Sequence, residues 1–395
     1  MNPSSLRLFL LGDGTRASPA LAWLIGFFAF LNVYSMQAVL PLVVDDFNAS
    51  PVQAGTAVGA TVLAIALVSP FMGMLSDAIG RKLVICVSLF ALTLPTALIP
   101  LADSLHTLTL LRFLQGLAVP GIVVVFLAYI AEEFPGVSVT RTVATYVGGT
   151  VMGGFAGRFI TGYAGDWFGW RGAFVALTLL NLAGALLVLW RLPRSRSFVP
   201  RRDVRAALRT LGGHLSNRRL LAACAVGFCV LFALVGSFTY VNLHLAGEPF
   251  NLSSSGLANV FCVYLVGVLV TPMAGKLVVR WGFRKALLVA LTVSAGGLLL
   301  TLPPWLPTIL LGLTLCSVGV FVCQSTTISF IAASVSEGRS LANGLYYLGY
   351  YSGGAVSTLL AGLAYEGWGW PGAVMTICAM QVLGGLIAWT TWRKA

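Results

Sequence analysis

The chain has 395 residues, of which 58% are hydrophobic and only 9% charged, with a mean hydropathy of +0.92. Soluble domains carry about 25% charge, so a water-soluble enzyme or binding module is excluded. A net charge of +12 would suit nucleic acid, but where the basic residues fall argues for a different cause.

A helix needs roughly 20 apolar residues to cross the hydrocarbon core of a bilayer. In chain order the sequence predicts spans at 19–43, 54–75, 84–103, 107–130, 142–165 and 171–191. After a polar stretch come 219–244, 256–279, 285–303, 307–332, 341–364 and 370–391. The first run is too long for the apolar core of a signal peptide and is read as a helix that stays. The expectation is an all-α membrane protein with twelve transmembrane helices in two pseudo-symmetric six-helix bundles. Residues 1–191 form the first bundle, 192–218 a cytoplasmic linker and 219–395 the second bundle.

Placing the N-terminus and every even-numbered loop on one side gathers 21 of the 24 Lys and Arg residues there, leaving Arg112, Arg158 and Arg171. By the positive-inside rule that side is the cytoplasm, and it holds both termini. The net charge is therefore a topology signal, and no nucleic-acid partner is expected. The linker sequence VRAALRTLGGHL reads either as a short amphipathic helix on the inner leaflet or as a plain flexible connection. The seven cysteines fall inside apolar runs with no CxxC pair, so they are read as packing residues. Three histidines leave no metal cluster, and no metal or organic cofactor is expected.

The halves repeat. GMLSDAIGRK, between spans 2 and 3, is echoed by GKLVVRWGFRK, with Gly73 and Gly80 matching Gly275 and Gly282. GGTVMGGFAGRFITGYAGDWFGWRGAF at 148–174 lies 200 residues before LGYYSGGAVSTLLAGLAYEGWGWPGAV, and Asp166 becomes Glu366. Phe47-Asn48 is answered by Phe250-Asn251. Duplicated bundles with a site at their interface are a common plan of secondary transporters.

GMLSDAIGRK is similar to the signature loop of the major facilitator superfamily, and LRFLQGLAVPG at 111–121 resembles the arginine motif of that family's fourth helix. The glycine-rich fifth span resembles the antiporter motif of the drug:proton antiporter branch. QAVLP at 37–41 with the 148–174 pattern resembles the arabinose-efflux-permease-like group. One departure is that Gly153-Gly154 occupies the region where the antiporter motif carries a proline after its central glycine. The resemblance implies a monomer in a bacterial inner membrane, in contact with lipid and a small-molecule substrate, with protons as the coupling ion.

Several residues then acquire expected roles. Gly73, Asp77, Gly80, Arg81 and Lys82, with Glu132 as an ion partner, form a conformational latch whose partner in the family is helix 11. Gly149, Gly153 and Gly157, with Gly349 and Gly353, fall four apart and permit close helix packing. Arg112 and Arg158 are cations inside predicted spans and therefore need a partner or a wet cavity. The resemblance makes Arg112 an organiser of proton coupling. Arg158 is read as binding an anionic group or pairing with Asp45 or Asp46, one of which carries the proton. The expected cavity lining is Asn32, Tyr34, Gln37, Phe126 and Tyr129, joined by Tyr240, Asn242, Gln324, Tyr346 and Tyr350.

The function these readings imply is proton-coupled efflux of small organic, drug-like or amphipathic molecules by alternating access. An importer, a sugar exporter or an uncoupled facilitator of the same fold is the alternative. A membrane enzyme is disfavoured because the sequence has no nucleotide loop, no HExxH and no clustered nucleophile and base. A receptor is disfavoured by the two-fold repeat and the short loops.

Overall fold

The computed structural model describes residues 18–134, 137–195, 212–335 and 339–392. Residues up to 195 are termed the first half and those from 212 the second half. Residues 196–211 of the connecting stretch lie outside the described residues, and with them most of the section read above as either an amphipathic helix or a flexible connection; its last four residues, 212–215, are helical. Every regular element among the described residues is helical.

Local chemistry sets the helix starts. Ser18 caps α1 (Pro19–Leu31) with proline in its first turn, where a missing N–H costs nothing. Ser50 and Gln53 form a reciprocal capping box at the start of α3 (Pro51–Ile79). Ser104 caps α5 (Leu105–Glu133), Asn217 caps α7 (Arg218–Ala246) and Ser253 caps α8 (Ser254–Val260). Between them lie α2 (Leu40–Phe47), α4 (Arg81–Leu98) and α6 (Val137–Arg191). The chain continues through α9 (Val266–Leu299), α10 (Leu306–Ser334) and α11 (Arg339–Thr391).

The first predicted span is not one straight helix. After α1 the chain passes through a 3₁₀ turn at Ser35–Val39 into α2, with a bend of 46°. Three long helices carry a non-helical residue inside them: Gly169 in α6, Gly282 in α9, and Trp368 with Gly369 in α11. Gly169 sits at φ 67°, a region that side-chain-bearing residues avoid. The chain folds back there, because Gly157 before it and Asn181 after it both reach α1. Among the described residues nine helices are long and apolar enough to cross a membrane, or ten if the bent α1–α2 pair counts as one span.

All the positive-φ residues of the described chain fall in repeat-related pairs: Asn48 with Asn251, Gly80 with Gly282, and Gly169 with Gly369. The backbone thus keeps the duplication where side chains have diverged. Packing follows the same rule. A Cβ at Gly149, Gly153 or Gly157 would strike the carbonyls of Trp23, Phe27 and Leu31 on α1. One at Gly349 or Gly353 would meet Cys224 and Phe228 on α7. Small residues let these backbones touch. The outer stripe of α3, Leu63, Leu67, Phe71, Leu75 and Ile79, is exposed and apolar at helical spacing, as a lipid-facing surface requires.

Candidate functional site

The two halves meet along α3 and α11, where Gly59 abuts Thr358 at one end and Gly344 abuts Pro70 at the other. They also meet where α6 passes α8: Gly162 lies against Ser254 and Ala258, and the Tyr163 hydroxyl donates to Asn259 Oδ1 at 3.1 Å. This contact closes one end of the molecule, here termed the acidic end. Further along, α6 and α9 part. The gap is a cavity of about 260 Å³ that reaches toward the opposite, basic end, where Arg81, Arg191 and Arg284 lie.

Tyr34 of the α1–α2 break and Tyr264 roof the cavity on the acidic-end side. Tyr146, Val147, Thr150 and Val151 of α6 form one wall, and Phe321, Gln324, Ser325, Ile328 and Ser329 of α10 another. Tyr347, Tyr350 and Tyr351 of α11 complete it. Of the ten lining residues read from sequence, Tyr34, Gln324 and Tyr350 face the cavity. The other seven lie away from it and have other partners. Asn32 exchanges side-chain hydrogen bonds with Asn181, and Gln37 bonds Arg158 and Thr239. Phe126 stacks on Tyr129, and the Tyr129 hydroxyl donates to the Pro193 carbonyl. Tyr240 donates to the Thr358 carbonyl, and Asn242 donates to the Gln37 carbonyl. Tyr346 packs on Gly227. Tyr264, Tyr351 and Tyr146 were missed. They stand in spans whose other residues give no periodic polar face, so the sequence does not say which side of the helix looks inward.

Arg112 and Arg158, the two buried arginines inside spans, have defined partners. Arg112, fully buried, donates to the carbonyls of Asn32 (2.8 Å), Val33 (2.8 Å) and Ala57 (3.2 Å) and to Gln115 Oε1 (2.6 Å). Asn32 and Val33 lie in the gap after α1, where a broken helix leaves carbonyls short of helical donors. The guanidinium donates to both, and the Ser35 hydroxyl also donates to the Asn32 carbonyl at 3.0 Å. Gln115 passes the network on to Thr96 Oγ1 at 2.7 Å.

Arg158, 1% exposed, donates to Gln37 Oε1 and to the Gly154 carbonyl, each at 2.8 Å. Its guanidinium carbon lies 4.6 Å from the ring centres of Tyr34 and Phe261 and 4.8 Å from that of Tyr264. The expected pairing with Asp45 or Asp46 is corrected. Asp46 bonds Arg171 at 2.6 Å and Trp170 Nε1 at 3.1 Å, and Asp45 is exposed on the rim. The acids follow the last apolar turn of α2 and so project past the roof that covers Arg158.

Every acidic side chain among the described residues sits at a helix end. Asp45, Asp46, Asp103, Asp166, Glu248 and Glu366 lie at the acidic end, and Asp77, Glu132 and Glu133 at the basic end. The Arg171 hydrogen bond holds the Asp46 carboxyl below the usual carboxylate range. Burial pushes the Asp166 carboxyl up, but hydrogen bonds from Ser255, Ser253 and Ser254 outweigh it and hold the group low.

At the basic end Arg81 sits between two carboxylates. It pairs with Glu132 at 2.5 Å, with Asp77 one turn earlier, and with the Ser76 hydroxyl. Burial alone would lower the Arg81 pKa, but the two acids outweigh it and hold it above the ordinary value. Gly80, at φ 106°, makes the turn that brings Arg81 back over Asp77. Gly73 lies in the last turns of α3, its carbonyl accepting from Ser76, and Lys82 forms no ion pair among the described residues. These ion pairs all lie within the first half. The latch expected between the halves is therefore, in this state, a brace between α3, α4 and α5.

The sequence profile described as Major Facilitator Superfamily matches residues 22–271 and 238–395. The Inner membrane transport protein YnfM of Escherichia coli is 30% identical over 93% of this chain and 89% of its own length. An uncharacterized MFS-type transporter of Bacillus subtilis, YybF, is 29% identical over 91% and 89%. Among solved structures, a bacterial homologue of the human lysosomal transporter Spinster, in an inward-facing and unoccupied conformation, superposes with a TM-score of 0.75. It covers 94% of this chain and 96% of its own, at 16% identity.

Proposed function

The chain belongs to the major facilitator superfamily, and from that premise we propose that it carries a small organic molecule across the membrane by alternating access at the cavity between its halves. It is a membrane transporter rather than an enzyme, and a multi-pass protein of the bacterial inner membrane. The observation that carries the reading is the asymmetry of the interface. On the α6 side the halves are bonded together at the acidic end and separated by a cavity toward the basic end, while α3 and α11 stay in contact along their length.

Twelve spans in two bundles is the count this reading uses. A helix rises 1.5 Å per residue, so the 51-residue apolar helices Arg141–Arg191 and Leu341–Thr391 are far longer than a bilayer of about 30 Å. Folding back at Gly169 and Gly369 makes each of them two spans. With the basic end and both termini in the cytoplasm, the described state is open inward. Efflux is the direction proposed, the cavity collecting its substrate from the cytoplasm, with the chain acting as a monomer.

Coupling has two readings. In the first, protons drive the cycle and Asp46 or Asp45 carries them, with Arg112 holding the first span in its bent form. The second is an uncoupled carrier or exchanger, favoured by one observation: among the described residues no carboxylate lines the cavity. Proton release on substrate binding, measured in weakly buffered detergent with Asp46→Asn and Asp45→Asn beside the parent, separates them.

Spin-label distances test the transport reading itself, using one pair at residues 163 and 259 and another at 147 and 329. Alternating access requires two populations at each pair, changing in opposite senses. One unchanging distance at both ends, with and without ligands and at acid and neutral pH, would overturn it.

A further inference from the structure

We propose that the cavity is built for a small organic anion with a flat apolar body, whose carboxylate or comparable group becomes the counter-ion that Arg158 lacks. The inference rests on the transport reading above and adds the substrate class to it.

Arg158 is a buried cation with no carboxylate within ion-pair distance among the described residues. Its partners are an amide oxygen, a backbone carbonyl and three ring faces. Cation–π contacts offset part of the cost of burial without neutralising the charge. Arg112 differs. Two of its carbonyl partners lie at the break in the first span and the third on α3, which gives it the structural task of joining them. Arg158 repairs no such break. It holds a positive potential beside a cavity that has no acid to match it.

The cover over Arg158 is shared between the halves. Tyr34 comes from the first half, and Phe261 and Tyr264 from the second. Tyr34 and Tyr264 also roof the cavity. Displacing Tyr34 and Tyr264 from the cavity side opens the guanidinium to a ligand already in the cavity. Gln37 ties the same site to the second half through Thr239 at 2.9 Å, so an anion that displaces Gln37 from Arg158 also loosens the interface.

The rest of the ligand is read from the walls. Tyr264, Tyr350, Tyr351 and Phe321 present ring faces and edges, and Gln324 and Thr150 offer polar groups at the side. At about 260 Å³ the space is below the roughly 300–1,000 Å³ of sites for drug-sized ligands, which favours a molecule of one ring. A lipophilic cation would meet Arg158 with no carboxylate to offset the repulsion. This assignment therefore selects anions from within the broader amphipathic class read from sequence.

The test is equilibrium binding to the full-length protein in detergent, which needs no transport. The probes are benzoate, cyclohexanecarboxylate and phenyl phosphate, with benzamide as neutral isostere and benzylammonium as cation. At least one anion is expected to bind about tenfold or more tightly than benzamide, with benzylammonium weakest. Arg158→Gln should abolish that preference while binding benzamide as the parent does, and Arg158→Lys should retain part of it. Thermal melting of both variants confirms that they are folded. Equal binding of benzoate and benzamide, tightest binding of benzylammonium, an unchanged preference in Arg158→Gln, or no anion bound would each overturn the assignment. Failure of the transport reading would appear instead as fixed spin-label distances, whatever the binding panel gives.

Discussion

Asp166 and Glu366, 200 residues apart in the chain, form the same contact in opposite directions. The Asp166 carboxylate of the first half accepts a hydrogen bond from the Ser255 backbone N–H at 3.0 Å, at the start of α8 in the second half. The Glu366 carboxylate of the second half accepts one from the Val52 N–H at 2.9 Å, at the start of α3 in the first. Both N–H groups occupy the second position of their helix, one of the four that have no partner inside it. Each half thus caps a helix of the other, and the acidic end is held shut by a two-fold pair of charge-assisted contacts that also favour the positive helix end.

Asp166→Asn and Glu366→Gln are expected to shift the population toward opening at the acidic end. A cap of this kind is worth about 0.5–2 kcal/mol, and less when exposed, as these are. The double variant should therefore shift the equilibrium roughly 5- to 30-fold. Spin-label distances between residues 163 and 259 report it. If each single variant moves the distribution and the double moves it no further, the two caps are not independent and the paired-clamp reading fails.

Acid should weaken the same clamp. The Asp166 carboxyl is held below its ordinary range, so its contribution is fully present above the unfolded-state value and is lost as pH falls through the folded-state value. At neutral pH the contact is intact. Opening is expected only below the usual carboxylate range, and Asp166→Asn should flatten that part of the profile. Asp46, held low by Arg171, obeys the same sign but ties elements within the first half. Asp46→Asn should therefore lower melting temperature at neutral pH without widening the 163–259 distance.

Much of this arrangement was readable in the sequence, because the features involved are local or repeated. Capping serines, prolines in first turns and glycines at the fold-back points each state their role within a few residues. The Asp166–Glu366 correspondence was visible as an offset of 200, although nothing local showed that each acid reaches the other half. The break after Leu31 was hidden inside one apolar run, and the guanidinium that meets the Asn32 and Val33 carbonyls there belongs to Arg112, 80 positions from Asn32 in the chain. Cavity residues were the least legible. In a helix apolar on every side, Tyr346 and Tyr350 look alike, yet only Tyr350 lines the cavity. The inward face is set by packing against other spans and leaves no polar stripe.

Adjacent glycines in α6 should respond very differently to one methyl group. A Cβ at Gly153 would collide with the backbone of Phe27, whereas one at Gly154 would first meet Arg158 Nη1 at 3.8 Å, an ordinary contact. Overpacking of this kind costs about 1–3 kcal/mol. Gly153→Ala is expected to lower the melting temperature clearly and Gly154→Ala hardly at all. Equal effects would mean that α1 and α6 are less tightly joined than the described contacts imply.

Within the brace at the basic end, Glu132 should matter more than Asp77. Both pair with Arg81, whose side chain is 7% exposed, but Asp77 is 38% exposed and Glu132 29%. Asp77 and Arg81 are four residues apart across the Gly80 turn, so their pair closes only a local turn. Glu132, 51 positions away in the chain, takes two hydrogen bonds from the guanidinium, a geometry that holds more strongly. Double-mutant cycles on thermal stability should give a larger coupling for Arg81–Glu132 than for Arg81–Asp77. The reverse order would place the Arg81 interaction mainly in the signature loop.

Arg112 offers a clean choice between a structural and a coupling role. Removing its guanidinium takes a charged donor from the buried carbonyls of Asn32, Val33 and Ala57 and from Gln115 Oε1, and a hydrogen bond to a charged group is worth about 1.5–3 kcal/mol. Arg112→Leu is therefore expected to accumulate poorly or to melt far below the parent. Arg112→Lys should be intermediate, because an ammonium group supplies donors but lacks the planar fork that spans several carbonyls at once. Melting temperature in detergent reads the structural effect, and spin labels on α1 and α2 read the 46° bend. A carrier whose Arg112→Leu variant is as stable as the parent, keeps the bend and has lost only proton release would have its arginine in coupling. Loss of the bend together with stability would make Arg112 the donor that holds the first span broken, and so keeps Tyr34 and Gln37 where the cavity and Arg158 need them.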